Sequence, residues 1–515
     1  MQLIEFFDRG AEMAPERLAF VDPDGGGALT YAAAQVLTHR IAVALHRDGI
    51  APGTPVGVLS PNTPLVFPCV LGVARAGCAW VALNDRTPPQ ELAGLLNLVG
   101  AEALLYSVKS AAAVRRLRQA VPGLKLLVPI DDDADPLSAW LAPPDARAPA
   151  QPLDPEGIAG LFGTGGTTGR PKAVALPHRA FETMVHAFNS HLPETDPVNL
   201  VAAPLTHAAG AALVPVLGLA GTNVVHSSVD PARILSSIEE NRVTRLFLPP
   251  TAVYALLDHP DVRTRDLSSL RYFLYGAAPI SVRRLTEALE VFGPVMAQFY
   301  GQTELPMMCS FLSPEEHAAA LAEPGLRHRL ASCGRPSLVA NVAIRAEDGS
   351  ACPVGEPGEI VVRSELRMAG YHGDPEQTAA AHRPGGAIAT GDIGYRDADG
   401  YLYIVDRKKD LIISGGFNVF PGEIEQVLAA DPAVRDCAVI GVPDEKWGER
   451  VTAVVELRPG AQADADALIA LCRERLGPVK APKQVLFRPL PRSAIGKVLK
   501  RALREEFWTE QPRRV

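Results

Sequence analysis

No C-x-x-C spacing occurs in the 515 residues, and the seven cysteines (Cys69, Cys78, Cys309, Cys333, Cys352, Cys437 and Cys472) are scattered and odd in number. A zinc site and a framework of structural disulfides are both disfavoured, and a reducing cytoplasm suits the chain. Basic residues are also in short supply: 50 Lys and Arg against 58 Asp and Glu leave a net charge of -8. Without a basic excess, counterion release cannot drive binding to nucleic acid or to an anionic membrane, although a local basic site can still hold an anionic small molecule. No apolar run is long enough to span a bilayer. The most apolar stretch, residues 208–221, is short, is interrupted by Gly and Pro, and reads as a buried helix or strand pair. The opening residues place Glu5 and Asp8 where a secretory signal needs a basic flank and an apolar run, so no export is expected. Internal repeats and long low-complexity segments are missing, and so is the Gly-Lys-Ser/Thr of a Walker A loop.

Apolar residues make up 47% of a 54.8 kDa chain, enough for large cores in two to four folding units. Short apolar runs at 56–59, 80–83 and 104–106 alternate with helical stretches at 65–76 and 90–98. The alternation resumes after residue 220, with strands at 223–225, 246–248, 271–275 and 296–299 and helices at 231–240 and 282–292. This pattern predicts an α/β fold of parallel layers, with ligands at the carboxyl ends of the strands. Between about 335 and 406 the character changes to Gly/Asp-rich hairpins such as 359–363 and 401–404, a β-rich subdomain. A charged bridge at 406–410 then leads into a small α+β unit, with helices at 422–428 and 464–476 and strands at 437–440 and 451–455. The expected boundary gives an N-terminal domain of residues 1–406 and a C-terminal domain of 407–515. Residues 141–152, rich in Pro and Ala, are expected to form a loop.

The most informative stretch is Gly163-Thr164-Gly165-Gly166-Thr167-Thr168-Gly169-Arg170-Pro171-Lys172. Its glycines let backbone N–H groups approach phosphate oxygens, its threonines add hydroxyls, and Lys172 adds charge. Further along come Tyr300-Gly301-Gln302-Thr303-Glu304, Thr390-Gly391-Asp392, Ser414-Gly415-Gly416-Phe417-Asn418 and Gly496-Lys497. In that order, these motifs resemble the adenylate-forming superfamily of acyl-CoA synthetases, adenylation domains and luciferases, most of all the stand-alone bacterial aryl- or fatty-acid:CoA ligases. The resemblance runs from Leu29-Thr30-Tyr31 to Lys497, nearly the whole chain.

The resemblance implies an ATP-dependent ligase that joins a carboxylic acid to AMP, releases pyrophosphate, and then passes the acyl group to CoA. Lys497 would bridge the carboxylate and the α-phosphate, and Glu304 with the Thr164 hydroxyl would hold Mg²⁺. Residues 164–169 and Lys172 would bind phosphates. The Gly276-Ala277-Ala278 turn would wall the nucleotide, Tyr300 would lie against adenine beside Gly301, Gln302 and Thr303, and Asp392 with Arg407 would hold the ribose. The C-terminal domain would rotate about Lys409 between the two half-reactions. Gly415 and Gly416, read as a strand, would then line the pantetheine channel, with Arg86, Trp447 and Lys483 on the CoA nucleotide. The acyl tail would lie among Met184, His207, Ala208, Ala209, Gly210, Leu305 and Met307, where His207 would pack against or gate the carboxylate. That lining suits an aryl, alicyclic or medium-chain acid and offers no cation for a second carboxylate. The chain departs from the family pattern at Ala173, Thr206 and Asp85, none of which removes a group the chemistry needs. An alternative keeps the adenylation but delivers the acyl group to a carrier protein or an amine. A monomer or a homodimer is expected.

Overall fold

The computed structural model describes residues 1–131, 136–164, 172–493 and 498–508. Among them the strands assemble into four sheets. In the first, Met296–Gln302, Tyr272–Tyr275, Arg245–Leu248, Val198–Val201, Thr222–Val225 and Leu18–Val21 run parallel in that order, with antiparallel strands at the edges. In the second, Ile158–Thr164, Ala79–Leu83, Pro55–Leu59, Ala103–Tyr106 and Leu126–Pro129 are parallel, and Lys172–Pro177 pairs antiparallel with Ile158–Thr164. The strand Ala79–Leu83 is buried along its whole length, as a strand covered by helices on both faces must be. The alternation read from the sequence therefore gives two layered α/β units, and their helices Val66–Arg75, Pro89–Val99, Pro231–Glu240 and Val282–Phe292 fall where the periodicity places them.

The third sheet is antiparallel. Ala340–Arg345, Gly358–Ser364, Ala387–Arg396 and Leu402–Arg407 pair in sequence, which is the predicted β-rich region. The fourth belongs to the C-terminal unit, where Val434–Asp444 and Gly448–Leu457 form a long hairpin flanked by the helices Pro421–Leu428 and Ala465–Lys480. The stretch 208–221 resolves as the largely buried helix Ala208–Leu217, with Pro215 in its last turn, followed by a turn to the strand Thr222–Val225. All seven cysteines are free thiols, and burial pushes those of Cys69, Cys78 and Cys333 up to about 12. No helix among the described residues is long and apolar enough to cross a membrane.

Candidate active site

The phosphate-loop hairpin begins and ends on described residues. Thr164 closes the strand Ile158–Thr164 directly opposite Lys172. Gly165, Gly166, Thr167, Thr168 and Gly169 lie outside the described residues, as does Lys497. Lys172 extends its ammonium over the ring of Tyr371, 5.0 Å from the centroid. The Tyr371 hydroxyl in turn donates to Glu304 Oε1 at 2.8 Å. Thr303 and Glu304 form the two-residue turn of a hairpin in which Gln302 faces Leu305. A Cβ on Gly301 would fall 2.5 Å from Met307 N, so only glycine permits this tight reversal. The Glu304 carbonyl is fixed by Met368 N–H at 2.9 Å. Its carboxylate is therefore anchored through Oε1, while Oε2 accepts no hydrogen bond among the described residues. An oriented carboxylate oxygen of this kind is a ligand that suits Mg²⁺.

One strand pairing and one side-chain hydrogen bond bring together the residues expected to hold the ribose. Asp392 and Arg407 are register partners in adjacent strands, and Arg407 Nε lies 3.1 Å from Asp392 Oδ1. The other carboxylate oxygen accepts from the Tyr300 hydroxyl at 2.7 Å. Burial, reinforced by the Asp392 charge, raises the Tyr300 phenol well above its ordinary value, so it stays a donor. Asp392 is thus held on both oxygens and buried.

The Gly276–Ala278 turn leaves the carboxyl end of Tyr272–Tyr275. A Cβ on Gly276 would meet Phe299 O at 2.8 Å, and Ala277 adopts φ +66°, a left-handed conformation rare for alanine. The turn is held by Tyr275, whose hydroxyl is 2.8 Å from His317 Nε2. His317 Nδ1 lies 2.7 Å from the Ser313 carbonyl, which can only accept, so Nδ1 carries the proton and Nε2 takes the tyrosine's. Sequence reasoning missed both His317 and Tyr371, because their partners are 42 and 67 residues away and no local motif marks them.

Of the residues expected around the acyl tail, His207 occupies the N-cap position of Ala208–Leu217 without a side-chain cap bond, its Nδ1 3.0 Å from the Thr206 hydroxyl. Its side chain is exposed at the surface yet crowded by protein, and this desolvation lowers its pKa to about 4, leaving it neutral at pH 7. Gly210 packs where a Cβ would lie 1.9 Å from Leu205 O. Met184, Ala209, Leu305 and Met307 are buried in the same core as Phe188, Phe247 and Phe299, whose rings contact one another. Ala208 is half-buried at its edge.

In the C-terminal unit, Gly415 and Gly416 are not a strand. They form the turn between Ile412–Ser414 and Phe417–Val419, with φ +59° and +81°, values that suit a tight hairpin turn and exclude most side chains. Gly415 N–H donates to Trp447 O at 2.8 Å, and a Cβ on it would press into the indole at 2.9 Å. Lys446 and Lys483 place ammonium groups 5.0 and 5.9 Å from the Trp447 ring. The structure therefore brings Gly415, Trp447 and Lys483 together, whereas Arg86 stands exposed just after the strand Ala79–Leu83 of the second sheet. Lys409 lies in the 3-10 turn Lys408–Asp410. Around it is a second feature that sequence reasoning missed, a buried charge network. Lys500 pairs with Glu425 (2.7 Å) and Arg504 with Asp410 (2.6 Å), while Asp406 accepts from Gly422 N–H (2.7 Å).

Comparison with known proteins agrees with this geometry. Residues 7–372 match the model of the AMP-binding enzyme family, and residues 423–497 match the AMP-binding enzyme C-terminal domain. The chain belongs to this adenylate-forming family. It is 40% identical over 483 residues to the medium/long-chain-fatty-acid–CoA ligase FadD8 of Mycobacterium tuberculosis (strain H37Rv), covering 89% of this chain and 82% of that one. It is 38% identical over 506 residues to a feruloyl-CoA synthase of an Amycolatopsis species, covering 97% and 98%. Among solved structures, the amide bond synthetase McbA from Marinactinospora thermotolerans superposes with a TM-score of 0.88 at 33% identity, covering 98% of this chain and all of that one.

Proposed function

We propose that this protein is an AMP-forming acid:CoA ligase acting on an aryl, alicyclic or medium-chain carboxylic acid. The observation that carries the reading is the meeting of Lys172, Tyr371 and Glu304 at one hairpin turn with Tyr300, Asp392 and Arg407 beside it. This is a cation, an oriented carboxylate and a diol acceptor on one rim. The acid's oxygen attacks the α-phosphate and pyrophosphate leaves. The CoA sulfur then attacks the acyl carbon and AMP leaves. Asp392 and Tyr300 fix the nucleoside, Lys172 balances phosphate charge, and Lys497 would bridge carboxylate and α-phosphate in the first step. Mg²⁺, when held by Thr164 and Glu304, would neutralise phosphate charge. The neutral His207 and the apolar methionine and phenylalanine lining suit an uncharged tail. A unit of residues 407–515 turning about Lys409 would serve the second step, with the Gly415-Gly416 turn, Trp447 and Lys483 on the CoA side. Cytoplasmic residence is part of the same reading.

A second reading has a specific support, the likeness to an amide bond synthetase. The deciding experiment measures acid-dependent pyrophosphate release across aryl, alicyclic and medium-chain acids, with CoA, a carrier protein or amines as acceptors. Thioester formation with CoA is expected; amide formation with amines and none with CoA would overturn the assignment.

A further inference from the structure

Beyond the turn at 407–410, the ion pairs of the C-terminal unit close within that unit. Arg435 pairs with Glu456, Arg492 with Asp436, Lys480 with Glu423 and Lys500 with Glu425. Arg458 is the exception among the described residues. It follows the strand Gly448–Leu457, and its Nη1 lies 3.8 Å from Oδ2 of Asp258, which belongs to the unit built on the first sheet. Asp258 occupies the C-cap of the helix Pro250–Leu257, and its two oxygens are used differently. Oδ1 accepts from Arg284 Nη2 at 2.8 Å, which leaves Oδ2 turned to Arg458. Arg284 is buried on the helix Val282–Phe292, donates to the Tyr254 carbonyl at 2.9 Å and lies 5.2 Å from the centroid of the Tyr254 ring. The Tyr254 hydroxyl accepts from Ser281 N–H at 2.8 Å, three residues after the Gly276–Ala278 turn. Asp258 is therefore a counter-ion already fixed by its own unit, so the pair forms at the cost of ordering Arg458 alone.

The same face of the C-terminal unit leads to Lys497. Arg492, five residues before that lysine, is held by Asp436 at 2.8 Å. Burial raises the Tyr254 phenol, and the Asp436 charge adds to it, so Asp436 and Tyr254 face each other across the two units. Tyr254 and Ser281 stand on the segments that leave the carboxyl ends of the parallel strands Arg245–Leu248 and Tyr272–Tyr275, where ligands of such sheets bind. The orientation that Arg458 fixes is thus one in which the approach to Lys497 is turned towards the nucleotide wall.

We propose that Arg458 is a positioning residue for the adenylation step, its pairing with Asp258 holding the C-terminal unit in the orientation that serves the first half-reaction. The proposal rests on the two-step ligase reading given above. Its test measures acyl-AMP formation and CoA attack on supplied acyl-AMP as separate single-turnover rates in Arg458→Ala, Arg458→Glu and Arg458→Lys. Arg435→Ala, which breaks a pair inside the C-terminal unit, is the control. A partly exposed ion pair is worth about threefold in an equilibrium between two orientations, so Arg458→Ala slows acyl-AMP formation by about that factor. Arg458→Glu sets like charges face to face and slows it about tenfold. Arg458→Lys keeps most of the rate, Arg435→Ala leaves the ratio of the two steps unchanged, and high salt narrows the gap between Arg458→Ala and the unsubstituted protein. CoA attack on supplied acyl-AMP is not slowed in any of them, which also reports intact folding. Equal slowing of both steps in Arg458→Glu would make the pair a contact for stability only and overturn the positioning role. Unchanged rates in that variant would overturn it as well. Failure of the unsubstituted protein to form any acyl-AMP would overturn the ligase reading itself, and this role with it.

Discussion

Tyr300 and Tyr371 each donate a hydroxyl hydrogen bond to a carboxylate of the site, and burial raises both phenols so that neither ionises at working pH. Removing one oxygen atom separates anchoring from packing. In Tyr371→Phe the ring remains under Lys172 while Glu304 loses its hold. A charge-assisted hydrogen bond contributes about 1.5–3 kcal/mol, so adenylation falls about tenfold or more, chiefly through a higher Mg²⁺ requirement. A Mg²⁺ titration of acid-dependent pyrophosphate exchange checks this, and an unshifted curve would remove Glu304 from the metal assignment. Lys497→Ala addresses the other end of the reaction. It abolishes acyl-AMP formation but leaves CoA attack on supplied acyl-AMP largely intact, because a bridging lysine acts only in the first step. Equal loss of both half-reactions in a rapid-quench assay would point to a different role. Of these residues, Lys497, Glu304 and Lys172 were singled out from the sequence because they sit inside local motifs. Tyr371 was not, since its role exists only once the strand Gly370–Tyr371 docks antiparallel on Lys172–Pro177.

At the scale of elements, the proposed hinge carries the sharpest consequence. Lys409 occupies a single 3-10 turn, a conformation whose usual φ of about -60° is close to the value proline imposes. Lys409→Pro therefore fits this orientation and restricts departure from it. Adenylation is spared more than thioester formation, a split read from single-turnover rates of the two steps; wild-type rates for both would sink alternation about this residue. The network beside it supports the same assignment. Asp406 precedes Lys409 and Gly422 follows it, and a Cβ on Gly422 would lie 2.4 Å from Val405 O, so strand and helix touch across this turn. Burial opposes the charge on Lys500, but Glu425, Asp406 and Asp410 outweigh it and raise its pKa. The sequence showed this region as a charged bridge, since Asp406 to Asp410 are contiguous. It could not show that Lys500 and Arg504, some ninety residues on, return to neutralise it. The parallel strands were legible for a related reason: each is a short apolar run bounded by a turn and followed by a helix. The Gly415-Gly416 turn was misread because hairpin strands of three residues leave little alternation to detect.

For the whole molecule, the buried histidines set a direction for stability against pH. His317 is fully buried and bonded on both ring nitrogens, and desolvation lowers its pKa to about 4; His39 is also lowered to about 4, by burial and by Arg75. The unfolded chain protonates these rings near pH 6.5, whereas the folded one resists until near 4. Between those values the unfolded state binds more protons, so stability rises with pH. The contribution is fully present above about 6.5 and is lost as the pH falls toward 4, to the extent of roughly 3 kcal/mol for His317. Asp406 and Glu425, which burial raises, act in the opposite sense, since their protonation favours the folded form. The slope of one protein alone therefore mixes the two, and the difference between proteins separates them. His317→Gln starts less stable at pH 7.5 because it loosens Tyr275 and the Gly276–Ala278 turn. Its melting temperature then falls less steeply than that of the unsubstituted protein between pH 6.5 and 4.5. Thermal scans across that window are the check, and parallel curves would show that His317 titrates normally and does not hold the turn as a neutral acceptor.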